Sequence, residues 1–243
     1  MRIFFIGSIM ITMLQMSLIA QINSGSVVYM QVSNINTEGM PPQMVANMPK
    51  STENSMQLLF NKTESLYQKN PNFKEDVDPN DNRPRFFKRM REMAVSTYYK
   101  DKNNKKLVEQ AIFFGKDFLV ESELSDLKWK ISAGEQKSIL GYTCMKAYYK
   151  DSLQNLVAYF TPQIPVSQGP DVYGGLPGLI LEIQSANVHI LATEVKPGEI
   201  TIKQPDKGKK MTKEEYEKMK QEKIKEQAEM RGGQGRPGMF FGH

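Results

Sequence analysis

Short β-type segments separated by turn residues fill the body of the chain, and they constrain the fold more than any other feature. The first segment is 26–32, and two more, 56–60 and 64–67, flank a turn at Asn61. Runs rich in β-branched and aromatic residues, bounded by Asn, Gly or Pro, are typical of strands. Helical periodicity is almost absent before residue 203. The sequence therefore predicts a mainly β fold.

The same pattern continues to residue 195, and consecutive segments are joined by short turns. We count about nine to eleven strands on this basis. Such an arrangement predicts a curled antiparallel meander sheet or half-barrel that buries one apolar face. The further strand candidates are 94–99, 106–114, 118–122, 129–131, 136–149, 155–161, 179–183 and 188–195.

Residues 1–20 have the features of a secretory signal peptide. Arg2 precedes an apolar run, and Ala20 offers a small residue before the polar Gln21. The run is interrupted by polar residues and is short for a membrane span. We expect cleavage near Ala20 and a periplasmic or secreted mature protein.

Residues 203–243 differ in kind from the body. They contain eleven Lys and Arg against seven Asp and Glu, a net +4 of the +5 carried by the whole chain. The body is therefore about neutral, and no nucleic-acid partner is expected. Thr212 and Glu215 form a capping box that predicts a charged helix ending at Gly232. We expect a β domain over 21–202 and a basic tail over 203–243, helical first and then disordered.

Hydrolase and metalloenzyme motifs are missing from the sequence. The two histidines are His189 and His243, and neither belongs to a zinc-binding or Ser-His-Asp pattern. His189 lies in an apolar strand segment, where a structural histidine is more usual than a catalytic one. The sequence predicts no catalytic residue and no cofactor, and it favours a protein that is not an enzyme.

Cys144 is the only cysteine, so no disulfide is expected within the chain. A reactive thiol needs a neighbouring cation to lower its pKa, and Lys146 falls on the same face of the predicted strand. A thiol-dependent enzyme using Cys144 is therefore one alternative function. The other interpretation is a small residue of the core, and burial of Cys144 would favour it.

Three methionines, Met40, Met44 and Met48, are spaced four residues apart. On one short helix their thioethers would suit Cu(I), which makes copper handling a second alternative function. Methionines at this spacing also form packing faces, and both interpretations stay open.

The most distinctive string follows a segment rich in Pro and Gly. The two leading glycines permit a tight reversal of the chain. The proline holds the residue before it extended, and the next glycine allows close packing. These are structural roles, those of a rigid loop that closes the end of the sheet; a loop bordering a ligand cleft is the alternative. The residues are Gly174, Gly175, Leu176, Pro177, Gly178, Leu179 and Ile180.

This string resembles the signature of the GLPGLI family, exported proteins of Bacteroidetes. The resemblance extends over residues 125–195 and includes Trp129, Cys144 and Tyr173. It departs at Tyr159, where the family often has Trp. Because the function of the family is not established, the resemblance implies export and a shared domain but no activity.

These observations favour an exported binding or accessory protein of the cell envelope. An apolar concave sheet face would suit a lipid or a hydrophobic peptide, and the tail helix would suit docking on an outer-membrane protein. Both partners are hypotheses based on shape and composition.

Overall fold

The computed structural model describes residues 22–35, 45, 48–73, 95–125, 127–149 and 155–232. Within these ranges twelve strands form one sheet, and a helix follows the last strand. The strands are β1 (Gly25–Asn34), β2 (Ser51–Phe60), β3 (Glu64–Lys69), β4 (Thr97–Asp101), β5 (Lys106–Phe113), β6 (Lys116–Glu123), β7 (Trp129–Ile139), β8 (Tyr142–Tyr149), β9 (Val157–Thr161), β10 (Leu179–Gln184), β11 (Val188–Pro197) and β12 (Lys209–Thr212), and the helix is α1 (Lys213–Gly232).

The sheet consists of two antiparallel meanders, β1 to β6 and β7 to β11, which meet where β1 pairs with β11. The order of strands is β12-β6-β5-β4-β3-β2-β1-β11-β10-β9-β8-β7, so the sheet is open, with β12 and β7 at its edges. The prediction of a mainly β, mostly antiparallel fold followed by a C-terminal helix is confirmed. The twelfth strand was not predicted: β12 pairs parallel to β6 and lies in the segment predicted to be a tail.

The main core lies on one face of the sheet. Alternate residues of β1 and β2, among them Val27, Tyr29, Met56 and Leu58, point to this face and are completely buried. A smaller cluster on the opposite face contains Leu66, Tyr99, Val108 and Leu119, and Ile202 packs against it. Residues after β11 therefore cover the second face of the sheet.

The helix α1 begins at the predicted capping box. The backbone N–H of Thr212 donates to the Glu215 carboxylate at 2.8 Å, and the backbone N–H of Glu215 donates to Thr212 Oγ1 at 3.2 Å. Tyr216 is buried against the rings of Phe113 and Phe118. The helix is thus fixed to the sheet through its first turns.

Two predictions fall outside the described residues: the signal peptide over 1–20 and the disordered segment from 233 on. Export and localisation stay predictions for that reason. None of the helices in the described ranges is both long and apolar enough to span a bilayer.

We predict that Tyr216→Ala lowers the free energy of unfolding by about 3 kcal/mol, because it removes the ring that packs α1 on the sheet. Tyr148→Ala is the matched control, since Tyr148 is 40% exposed, and it should change stability by less than about 0.5 kcal/mol. Urea denaturation followed by circular dichroism measures both. Equal effects of the two substitutions would contradict the anchoring role of Tyr216.

Candidate functional site

The loop over 162–178, between β9 and β10, crosses the main core face of the sheet and carries the distinctive string. Its inward side chains Ile164, Val166 and Leu176 are 0–2% exposed and belong to the main core. Pro165, between Ile164 and Val166, is exposed, and so is Val172 near the middle of the loop. We refer to residues 162–178 as the covering loop.

Lys100 of β4 holds the covering loop in place. Its side chain is buried, and Nζ donates to the carbonyl oxygens of Gly169 at 2.7 Å, Asp171 at 2.9 Å and Tyr173 at 2.7 Å. An ammonium group has three N–H donors, so all of them are used. Lys100 was not identified from the sequence, because a lysine in a strand is normally exposed. The one available signal was the alternation of side chains along β4, which places Lys100 on the same face of the strand as Tyr98.

Burial shapes the electrostatics of this contact. Removal from water lowers the pKa of Lys100 to about 7, although the nearby Asp171 carboxylate opposes the shift. Burial also raises the pKa of Asp171 to about 6; the Val172 N–H and Lys100 act against this, and Glu109 adds to it. Asp171 is partly exposed as a residue, but protein surrounds its carboxyl group.

A second polar group extends from Asp171 towards β5. Ser96 Oγ donates to Glu109 at 2.7 Å, and the Tyr98 hydroxyl lies 3.5 Å from the same carboxylate oxygen. Burial, with Asp171 and Glu109 nearby, raises the pKa of the Tyr98 phenol far above its usual value. The donors in this group are therefore protonated and already paired at neutral pH. The arrangement suits a fixed structure better than proton transfer.

The next residue of the covering loop is held by Trp129 of β7, whose Nε1–H donates to the carbonyl of Gly174 at 2.8 Å. Lys100 lies on β4 and Trp129 on β7, and these strands are eight positions apart in the order of the sheet. A flat sheet would place them about 38 Å apart. The chain from Gly169 to Gly174 spans at most about 18 Å. The sheet must therefore curl around the covering loop.

Gln168 connects the covering loop to β3. Its Oε1 accepts from Ser65 Oγ at 2.9 Å, and both residues are buried. Its Nε2 has no hydrogen-bond partner among the described residues. This contact lies beside Lys100, because Ser65 and Lys100 are cross-strand partners.

Two glycines of the string have a structural reason to be glycine. A Cβ at Gly178 would lie 2.2 Å from the carbonyl oxygen of Thr161. Gly175 has φ +85°, a left-handed conformation that favours glycine. Leu176, Leu179 and Ile180 are buried, and Ile180 accepts a hydrogen bond at its carbonyl from the Tyr29 hydroxyl at 2.6 Å. This geometry gives a physical reason for a structural role, which stays a prediction that substitution can test.

Cys144 and His189, the two reactive side chains considered from the sequence, lie near one buried carboxylate, Glu182. His189 Nε2 is 2.9 Å from Glu182, and Lys137 also contacts that carboxylate. Cys144 is completely buried, and burial raises the pKa of its thiol to about 11. A thiolate is therefore scarce at neutral pH, which argues against an enzyme that uses Cys144.

The copper alternative is not decided by the structure. Met40 and Met44 lie outside the described residues, and Met48 is partly buried. Within the described ranges, no three His, Cys, Asp or Glu side chains are grouped so as to hold a metal ion.

Comparison with known proteins supports the fold and gives no activity. Residues 150–182 match the model of a family described as "Protein of unknown function (Porph_ging)", a stretch that includes β9 and the covering loop. The GLPGLI identification itself stays a prediction. No curated protein matches the chain.

Two solved structures of PNGF-II, from different space groups, are similar in fold. One gives a TM-score of 0.54 at 16% identity over 81% of this chain and 33% of that chain. The other gives 0.52 at 18% identity over 81% and 32%. The chain thus spans about a third of the length of PNGF-II, and at this identity the likeness shows the fold alone.

We predict that Gly178→Ala lowers the free energy of unfolding by about 3 kcal/mol, because the added methyl meets the backbone of Thr161. The control is Gly198→Ala, where nothing lies within 4 Å of the added Cβ and a change within about 0.5 kcal/mol is expected. Chemical denaturation measures both. If the two variants are equally stable, the string has no structural role at Gly178.

A second prediction concerns Lys100→Met, which leaves three loop carbonyls without their donor and should cost about 3 kcal/mol near pH 7. Because the folded-state pKa of Lys100 is lowered to about 7 from 10.5, the folded chain holds fewer protons than the unfolded chain above pH 7. The stability of the wild type relative to Lys100→Met should then rise by about 1 kcal/mol per pH unit from pH 7 towards 10.

Denaturation of both proteins at pH 7.5, 8.5 and 9.5 measures this difference. All three values lie above the pKa of Asp171, which is about 6. A difference that is constant with pH would mean that Lys100 stays protonated in the folded chain throughout.

Proposed function

We propose that the chain is an exported accessory protein of the cell envelope that docks on a protein partner through the outer surface of the covering loop. The observation that carries this proposal is the fixed loop itself. Lys100 and Trp129 hold it at two places, and its buried side chains are part of the core. An outer-membrane protein is the candidate partner.

A fixed loop is well suited to recognition. Binding residues are commonly carried on loops that a rigid scaffold positions. A loop that is already ordered loses little conformational entropy when a partner binds. The outer surface of the covering loop exposes Val172, Gly175 and Pro177. The partner surface expected from this chemistry is apolar.

A carrier of lipid or hydrophobic peptide receives less support from the same geometry. The apolar face that would hold the ligand is filled by Ile164, Val166 and Leu176. A ligand could enter only if these side chains left the core and Lys100 lost its three carbonyls. The free energy required for that opening favours a partner that binds outside the loop.

A photo-reactive amino acid at Val172 tests the docking surface in intact cells. We expect a crosslinked product of one defined mass from Val172, and its loss when Lys100→Met is added, because the loop is then no longer fixed. The control is the same amino acid at Thr193, an exposed residue of β11. Equal products from both positions would mean that Val172 marks no specific surface.

Native mass spectrometry of the protein purified from its envelope tests the competing role. The proposed function predicts a bare mass. A bound lipid or peptide would overturn the proposal and support a carrier if hydrogen exchange also shows that the amides of the covering loop are protected only when that ligand is bound.

A further inference from the structure

The hairpin of β5 and β6 ends in an unusual turn. Phe113 and Lys116 are the last paired residues, so the turn has two residues, Phe114 and Gly115. Both have left-handed backbone conformations, with φ +49° and +72°. Two-residue turns of this kind favour Asn, Asp or Gly at the first position. A phenylalanine there holds the backbone in a conformation that is strained for a bulky residue.

The strain is not offset by burial. The side chain of Phe114 is 48% exposed, and that of Ile112, two residues earlier, is 43% exposed. The Phe114 ring contacts the Phe113 ring edge-on, with the centroids 4.5 Å apart, and its remaining surface faces solvent. A large exposed aromatic side chain at a strained turn position points to a role outside the fold. The helix α1 does not cover Ile112, because it packs on Phe113 and Phe118, which lie on the other face of the hairpin.

Lysines surround this hairpin end. The segment 207–210 runs beside β6: Lys209 is the register partner of Phe118, and the carbonyl of Lys207 accepts from Gln110 Nε2 at 3.0 Å. Asp117 and Asp206 are the acidic residues directly next to these lysines in the sequence, so four lysines and two aspartates leave an excess of two positive charges. The lysines are Lys116, Lys207, Lys209 and Lys210; all four are exposed, and none forms an ion pair with a described residue.

We propose that this hairpin tip, defined as Ile112, Phe114 and those four lysines, is a peripheral attachment site for an anionic lipid bilayer. Aromatic side chains favour the bilayer interface, and lysines can place their ammonium groups among lipid phosphates while their stems cover apolar surface. Each lysine near an anionic surface adds to the attraction. Two exposed apolar side chains are too few for a stable protein interface, which needs about 1,000 Å². They are enough for weak, reversible attachment.

The attachment goes beyond the proposed function and does not depend on it. Vesicles contain no protein partner, so they test the hairpin tip alone, whereas crosslinking at Val172 tests the covering loop. Either proposal can therefore fail while the other stands.

The test is sedimentation of the mature protein with phosphatidylcholine vesicles, with and without phosphatidylglycerol. We expect binding to the anionic vesicles that weakens as salt is added. Phe114→Asn should bind about tenfold more weakly, because it loses the phenyl ring while keeping a residue that suits the turn. The double variant Lys209→Gln/Lys210→Gln should also lose about tenfold.

The chain offers a matched control in the hairpin of β7 and β8. Leu140 and Gly141 form its turn; Leu140 has φ +52° and is 47% exposed. Leu140 thus matches Phe114 in backbone conformation and exposure but lies outside the hairpin tip. Leu140→Asn should leave vesicle binding unchanged. The proposal is overturned if the wild type does not bind anionic vesicles, if Phe114→Asn binds as well as the wild type, or if Leu140→Asn weakens binding equally. Binding that depends on the lysines but not on Phe114 would indicate a surface for an acidic protein instead.

Discussion

The contact between the Lys100 ammonium and three backbone carbonyls is the interaction on which the rest of the architecture depends. A charge removed from water is costly unless every donor is paired, and here each N–H has its own carbonyl. The carbonyls belong to alternate residues, Gly169, Asp171 and Tyr173, so a single side chain fixes the path of five consecutive residues. The loop can therefore act as part of the core although it has no regular secondary structure.

Once the loop is fixed, the shape of the sheet follows. Trp129 and Lys100 draw distant strands towards the same short segment of chain, and the apolar face closes over Ile164 and Leu176. The open edges at β7 and β12 remain, so closure is achieved by the loop and not by strand pairing. Within the described ranges, the covering loop is therefore what buries the apolar face of the twelve-stranded sheet.

Much of the fold could be predicted because its strands obey simple alternation. The segment 26–32 and the hairpin at Asn61 were found from residue type alone, and Thr212 with Glu215 marked the start of the helix. β12 could not be predicted, because Lys209–Thr212 has no β pattern and is recognised as a strand only by its backbone pairing with β6. Lys100 was missed because its burial depends on carbonyls some seventy residues away, which no local pattern records. The predicted strand over 106–114 ran one residue too far, into a turn position that phenylalanine rarely occupies.

The position of β1 has a consequence for how the chain folds as it is synthesised. β1 lies in the middle of the sheet, yet one of its neighbours, β11, is far away in sequence: Val28 and Thr193, which share a hydrogen bond, are 165 residues apart. The first meander can form while later residues are still being synthesised, but it then carries an unpaired inner edge of ten residues. Such an edge invites pairing with other chains. Escort by a chaperone until β11 arrives would protect the chain at its most vulnerable stage.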